Sequence, residues 1–313
     1  MRKVILFGLV AALVTCVTVG PADAGFKRLG SSGFTFLKIA QGARAAAMGD
    51  AYASVADDAS SVFWNPAGLV YVEQREFTST YTKWLVSSNL YSGAFAITSD
   101  MGTFALSFIT FAPDDIEETT PFAPGGTGRI VDAGDMAIGV GYARRLTDRF
   151  SLGLHLQYVQ ETLDQDTGNT MNFSLGTLFF TGFRSSRIAM TLRNFGKNEQ
   201  ILDDKFLMPM VFSVTAAMEV YGEKQDPNRM TLSFENVFAI DYDNRAHLGA
   251  ELWLQDVLAL RAGYKFNYDT DSFSAGAGVK YPYMGKNIKI DFAYSDMGSL
   301  LDPALRVSVG LGF

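Results

Sequence analysis

The last nine residues, LRVSVGLGF, alternate without a break. Leu305, Val307, Val309, Leu311 and Phe313 share one face, and Arg306, Ser308, Gly310 and Gly312 share the other. A period of two with one apolar face specifies a half-buried β-strand. The pattern recurs upstream in IKIDFAY from Ile288, FSAGAGVKY from Phe273, LALRAGYKF from Leu258 and AHLGAELWL from Ala246. Further strands are expected to begin near Met230, Phe212, Ser186, Phe173, Phe150, Met136, Thr103, Leu90 and Phe77. The tally is about fourteen, the even number that a single-chain membrane barrel requires.

Alternation alone does not separate a soluble sandwich from a membrane barrel. The segments, however, run to about 8–11 residues, the length a tilted strand needs to cross a bilayer. Their connections also alternate in length. Tight turns at Ser99, Leu146, Ser185 and Gln255 are interleaved with longer polar stretches at Pro113–Asp135, Gln160–Thr170, Gly196–Pro209 and Ser295–Pro303. Short turns at one end and long loops at the other describe a barrel inserted from the periplasm. The connection from Tyr221 to Arg229 is longer than this rule expects. Phe313, an aromatic closing the last strand, fits the same picture. The fold expected is all-β: a fourteen-stranded antiparallel transmembrane β-barrel over residues 73–313, in a bacterial outer membrane, with both chain ends on the periplasmic side.

Arg2 and Lys3, the apolar run from Val4 to Val19 and the triplet Ala22-Asp23-Ala24 make residues 1–24 a secretory signal peptide. A lipoprotein signal at Cys16 is disfavoured, because Leu13-Val14-Thr15 lacks the small residues that precede such a cysteine. Cleavage removes the one cysteine and with it any disulfide framework. A formal charge of −7 without a basic cluster excludes nucleic acid as a partner. No later apolar run is long enough for a transmembrane helix.

Residues 25–72 do not alternate. Ala43, Ala45, Ala46, Ala47 and Met48 favour helix, and Asn65 before Pro66 is a cap followed by a first-turn proline. Asp57 or Asp58 is read as the cap of a short turn through Phe63, and local capping of backbone amides is preferred to a paired-carboxylate site. A fourteen-stranded barrel is too wide for its own side chains to fill, so this segment is expected to enter the lumen as a partly helical hatch. Gly139, Gly141, Gly153, Gly176, Gly182, Gly249, Gly263, Gly276, Gly278, Gly310 and Gly312 fall on the less apolar strand face. They either relieve strand coiling or make room for a body inside the barrel. His155, Arg193, Glu235, His247, Glu251, Arg261, Lys265, Lys289, Asp291 and Arg306 are expected to face the lumen, since lipid cannot satisfy them.

The stretch GARAAAMGDAYASVADDASSVFWNPAGL, Gly42 to Leu69, resembles the N-terminal signature of the PorV/PorQ family of outer-membrane barrels, which belongs with the FadL-type transporters. The residues that carry the resemblance are Gly42, Arg44, Met48, Gly49, Asp57, Asp58, Phe63, Trp64, Asn65, Pro66 and Gly68; Asp50 stands where a glycine is expected. The resemblance implies a fourteen-stranded barrel with a luminal hatch. For PorV relatives it implies type IX secretion, in which the barrel shuttles exported proteins from the translocon to a surface-attachment complex. For FadL relatives it implies passive diffusion of fatty acids or other hydrophobic molecules.

Catalysis has little to build on. His155 and His247 lie on strands far apart, and no G-x-S-x-G elbow is present. The DQDTG string at Asp164 starts like a calcium loop but lacks the bidentate glutamate, so it and the other acidic clusters are read as solvated outer loops. Phe34, Phe36, Leu37, Phe63, Trp64 and Leu69 would line a greasy pocket or form the hatch's own core; the sequence leaves both open. The partners expected are outer-membrane lipid and lipopolysaccharide, with secretion or attachment proteins or hydrophobic small molecules; no cofactor and no metal is expected.

Overall fold

The computed structural model describes residues 30–197, 199–201 and 204–313. The expected signal peptide lies outside them. Eighteen strands follow in chain order: β1 Arg75–Lys83, β2 Asn89–Ser99, β3 Gly102–Ala112, β4 Ile116–Glu117, β5 Ile130–Val131, β6 Ala133–Thr147, β7 Phe150–Leu163, β8 Asp166–Phe180, β9 Arg187–Gly196, β10 Glu199–Ile201, β11 Asp204–Phe206, β12 Val211–Tyr221, β13 Arg229–Ala239, β14 Arg245–Leu254, β15 Leu258–Phe266, β16 Phe273–Tyr283, β17 Lys286–Ser295 and β18 Ala304–Gly312. Fourteen of them close an antiparallel barrel, the two short pairs β4–β5 and β10–β11 standing apart from it. Closure is made by β1 against β18, with Thr80 opposite Ser308. Phe313 and Arg75 extend this seam through reciprocal backbone bonds of 2.9 and 3.1 Å.

The alternation resolves as the period-two rule requires. On β6, Ile138 and Val140 point outward while Ala137 and Ala143 are buried in the interior. On β17 and β18, Ile290, Phe292, Val307 and Val309 are outward. A continuous apolar outer wall of this kind is stable only against hydrocarbon. Aromatic pairs mark its rims: Tyr81 and Tyr91 near the loop end, with ring centroids 5.3 Å apart, and Phe104 and Tyr142 near the turn end, at 5.1 Å.

Three expectations are corrected. Strands β6, β7 and β8 have 15, 14 and 15 residues, beyond the 8–11 expected. The supposed loop from Gln160 to Thr170 is mostly ladder, with Leu163 opposite Asp166, so β8 begins well before Phe173. These rungs carry polar side chains on both faces, which erases the hydrophobic period although backbone pairing continues. Finally, the first described residues and the last strand's end do not share one side. Gly312 sits beside Glu76 at the turn end. Ser32, in contrast, bridges Leu207 in the connection after β11 at the loop end. The strand pattern fixes the orientation of strands, not of the segment ahead of them. From the loop mouth, residues 30–72 run the length of the bore before β1 starts.

Candidate functional site: the filled bore

The hatch consists of short helical turns, Thr35–Lys38, Ala43–Ala47, Ser61–Trp64 and Pro66–Tyr71. None is long enough to be stable alone; each is held by the wall. Phe34, Phe36, Leu37 and Ile39 pack on Leu90, Ile109 and Val159 of the barrel. Val62, Leu69 and Val72 pack on Ala94, Ala96, Ala105 and Ala143. The greasy residues are therefore core shared between hatch and barrel, and the alternative of an open apolar pocket is not what they form.

The glycine face is explained by the same contact. A Cβ on Gly276 would sit 2.6 Å from Ala47 Cβ, and one on Gly249 2.5 Å from the Met48 carbonyl oxygen. Gly263 abuts Gly49, Gly153 abuts Pro66 and Ala67, Gly176 abuts Asn65, and Gly141 abuts Val62 and Leu69. These six make room for the hatch: Gly249, Gly263 and Gly153 for its backbone, Gly276, Gly176 and Gly141 for its side chains. Of the others, Gly139 and Gly278 accommodate wall side chains, Gly310 and Gly312 have ordinary space, and Gly182 lies in a turn.

Polar fasteners complete the docking. Asn65 caps the last helical turn by accepting from Ala67 N at 3.1 Å, and its amide donates to Ala53 O at 2.8 Å and to Thr177 O of β8 at 3.1 Å. Trp64 Nε1 donates to Gln41 O at 2.8 Å, and the Arg193 guanidinium lies 5.0 Å over its ring. Glu235 accepts from Tyr52 N and Ala53 N, Ser308 Oγ from Ala43 N, and Arg306 Nε donates to Ala40 O. Gly42 and Gly49 take positive φ of 93° and 61°, Met48 is fully buried, and Gly68 packs so closely on Ala56 and Ser61 that a Cβ has no room.

At the centre of these contacts is a chain of alternating charges. Asp57 lies 2.6 Å from Arg44, Arg44 holds Glu251 through Nε (2.8 Å) and Nη2 (2.9 Å), and Glu251 is 2.6 Å from Arg261, which reaches Asp291 at 2.6 Å. Burial alone would raise the Asp57 carboxyl, but Arg44, and after it Lys224 and Lys289, outweigh burial and hold it well below the usual range. Asp58 accepts from Ser60 N at 2.9 Å just ahead of the turn Ser61–Trp64, so local capping of a backbone amide falls to Asp58, while the partners of Asp57 are cations. Lys265 pairs with Asp50 at 2.6 Å and Asp271 at 2.7 Å, and Lys289 pairs with Glu76 at 2.9 Å. Asp50, the departure from glycine, keeps a positive φ of 62° and supplies a carboxylate to Lys265.

The histidines are accounted for. His155 Nε2 shares a 2.8 Å bond with Ser107 Oγ and meets the Phe63 ring edge-on; His247 Nε2 shares 2.9 Å with the Tyr268 hydroxyl. Asp164 pairs with Arg129, and among the described residues no group of three or more His, Cys, Asp or Glu is placed to hold a metal.

Sequence reasoning missed several fasteners. Glu161 accepts from Phe34 N at 2.7 Å, Lys38 reaches Asp241 at 2.7 Å, and Arg187 joins Glu219 at 2.9 Å while donating to Ser54 O. Lys224, in the long connection between β12 and β13, lies 4.4 Å over the Tyr71 ring and 3.6 Å from Asp57. That connection is long because it reaches across the turn-end mouth to the hatch. Arg187 and Glu219 do lie on inward strand positions and were legible by alternation; the loop residues carried no such signal.

A cavity of about 720 Å³ at the turn end is lined by Arg44, Asp57, Glu76, Lys224, Glu251 and Lys289 among others.

The model of a protein family described as Type IX secretion system protein PorV matches residues 24–253. The chain belongs to the PorV family. It is an outer-membrane β-barrel, as its apolar wall and closed strand order require. Solved structures similar to it include the Pseudomonas putida toluene transporter TodX (11% identity, 91% of this chain and 99% of that chain, TM-score 0.61). A Pseudomonas aeruginosa FadL homologue is 12% identical over 87% of this chain and 97% of that one, with a TM-score of 0.53. The CymD monoaromatic hydrocarbon channel is 10% identical over 86% and 96%, with a TM-score of 0.52. At such identities the likeness is one of fold. No curated protein sequence matches at a significant level. This PorV-family barrel therefore shares the fold of hydrocarbon channels, while its own bore holds a hatch fastened by apolar packing and by ion pairs.

Proposed function

We propose that the protein works as a sealed carrier barrel in type IX secretion, receiving exported proteins from a translocon and handing them to a surface-attachment complex through its rims and outer loops. The observation that carries this reading is the hatch itself: residues 30–72 run from the loop mouth to the turn end, fastened by Arg44–Glu251, Lys265–Asp50 and Lys38–Asp241. A bore so filled suits a scaffold better than a conduit. The family supports the secretory setting. The structural relatives suggest the rival, a passive channel for hydrophobic molecules, but the hatch aromatics are committed to packing and the turn-end cavity is lined by charged side chains. The histidine environments offer no catalytic arrangement, and the reading is non-enzymatic.

The test is native-membrane copurification followed by mass spectrometry, paired with uptake of a labelled fatty acid into liposomes. Copurification of secretion or attachment proteins together with uptake no faster than protein-free liposomes is expected. A barrel isolated alone that carries fatty acid, with uptake altered on deleting residues 26–64, sinks the proposal.

A further inference from the structure

The turn-end rim between β6 and β9 carries three guanidinium groups that the luminal network does not use. Arg144 is on the outward face of β6, opposite the outward Leu152. Arg149 is in the two-residue turn from β6 to β7, and Arg184 is in the connection from β8 to β9, where it takes a φ of 49°. All three are exposed. The two turns are tied together: Phe180 N donates to Arg149 O at 2.9 Å, and the Arg149 guanidinium lies against Gly182 so closely that a Cβ there would come within 2.9 Å of its Cζ. Among the described residues none of the three arginines has a carboxylate within 4.0 Å. Asp148, exposed in the same turn, is the one acid beside them in the chain.

Their surroundings fix their depth. Leu146, Leu152, Phe179 and Phe183 project outward around them, 42–54% exposed, and the Phe104–Tyr142 pair flanks Arg144. Cations that emerge from an apolar and aromatic rim lie at headgroup level. The opposite end of the same flank has the reverse sign, with Asp114, Asp115, Glu117, Glu118, Asp132, Asp164 and Asp166 around Arg129. A barrel flank that is basic at the turn end and acidic at the loop end distinguishes the two leaflets it touches.

We propose that Arg144, Arg149 and Arg184 form a binding site for an anionic phospholipid of the periplasmic leaflet. The guanidiniums take the phosphate, as their fork geometry suits, and the acyl chains lie along Leu146, Leu152 and Phe179. The site rests on the outer-membrane placement of the barrel and is independent of the secretory role.

The experiment is native mass spectrometry of the full processed barrel in mild detergent, titrated with phosphatidylglycerol or phosphatidylethanolamine. The wild type is expected to retain phosphatidylglycerol in preference. Arg144→Gln/Arg149→Gln/Arg184→Gln should lower that retention by about tenfold or more, since each cation near an anionic headgroup contributes on the order of 1 kcal/mol, and leave phosphatidylethanolamine unchanged. The corresponding triple lysine variant should keep most of it. Heat-modifiable migration on gels checks folding. Arg184→Gln alone, at a turn tip, serves if the triple variant does not fold, with about a fivefold loss expected. Equal retention of the two lipids by the wild type, or undiminished phosphatidylglycerol on the folded variant, overturns the proposal. So does displacement of the lipid by inorganic phosphate at matched concentration, which would mark a simple anion site.

Discussion

Gly49 of the hatch and Gly263 of the barrel wall lie backbone against backbone: a Cβ on Gly49 would stand 3.1 Å from Gly263 Cα and 2.9 Å from Tyr264 N. Two glycines facing each other across a buried contact leave no slack on either side. Gly263→Val should therefore displace the hatch, at a cost of about 1–3 kcal/mol or more for overpacking a filled interior. Gly310→Val is the comparison, because a Cβ there meets Lys289 Cβ at an ordinary 3.4 Å. Limited proteolysis of the folded barrel should release hatch fragments from the first variant and not from the second. Equal resistance of both variants would mean the close approach carries no weight.

The second prediction concerns Glu251, which holds both Arg44 and Arg261 from β14. Glu251→Gln leaves two buried guanidiniums facing each other without their shared anion. Removing one member of a buried pair typically costs about 3–5 kcal/mol. The urea midpoint for unfolding in detergent should fall accordingly. Adding Arg44→Met to Glu251→Gln should recover part of the loss, because it removes one of the stranded cations. A double variant as weak as the sum of the two single variants would show that the residues do not act through each other.

Acid should loosen the hatch before it unfolds the barrel. The Asp57 carboxyl is held well below its usual range, burial being outweighed by Arg44, Lys224 and Lys289. In the Asp241 loop, burial is likewise outweighed by hydrogen bonds from Lys38 and Ser32. A carboxyl whose folded pKa is depressed contributes stability that is fully present above its unfolded value, near 4, and is lost as pH falls through that value towards the folded one. Hatch protection in hydrogen exchange should be flat from about pH 7 to 5 and drop below about pH 4. Asp57→Asn should be less protected at neutral pH and should flatten the acid limb. An unchanged limb would place the acid sensitivity elsewhere.

These contacts show how far the primary structure could be read. The barrel was legible because every wall strand alternates against one apolar solvent, so Leu305 to Phe313 declares its faces without knowledge of any neighbour. The inward positions of Glu251 and Arg261 followed from the same period. What period cannot supply is pairing: that Arg44 joins Glu251, 207 positions away, depends on how the hatch sits. The hatch's course from loop mouth to turn end was hidden for the same reason, and so was the division of labour between Asp57 and Asp58. The elongated β6, β7 and β8 escaped because polar residues on both faces of a paired strand look like loop.

Lys224 gives the last prediction. It belongs to the connection of residues 222–228, the one turn-end segment whose length broke the short-turn pattern, and its ammonium lies 4.4 Å over Tyr71, 5.9 Å over Phe180 and 3.6 Å from Asp57. The segment thereby straps down the point where the hatch leaves the bore for β1. Lys224→Ala removes a cation–π contact worth about 0.5–2 kcal/mol and one ion pair. Because the strap touches only the end of the hatch, the loss should be local. Hydrogen exchange over Pro66–Tyr71 should quicken by roughly tenfold, while Ala43–Ala47, docked at β15 to β18, keeps its protection. Lys224→Arg, which preserves charge and ring contact, should remain near wild type. If exchange speeds up equally along the whole hatch, Lys224 supports the fold in general and is not a strap; if it does not change, Tyr71 is held by Arg145, whose guanidinium lies 5.3 Å over the same ring.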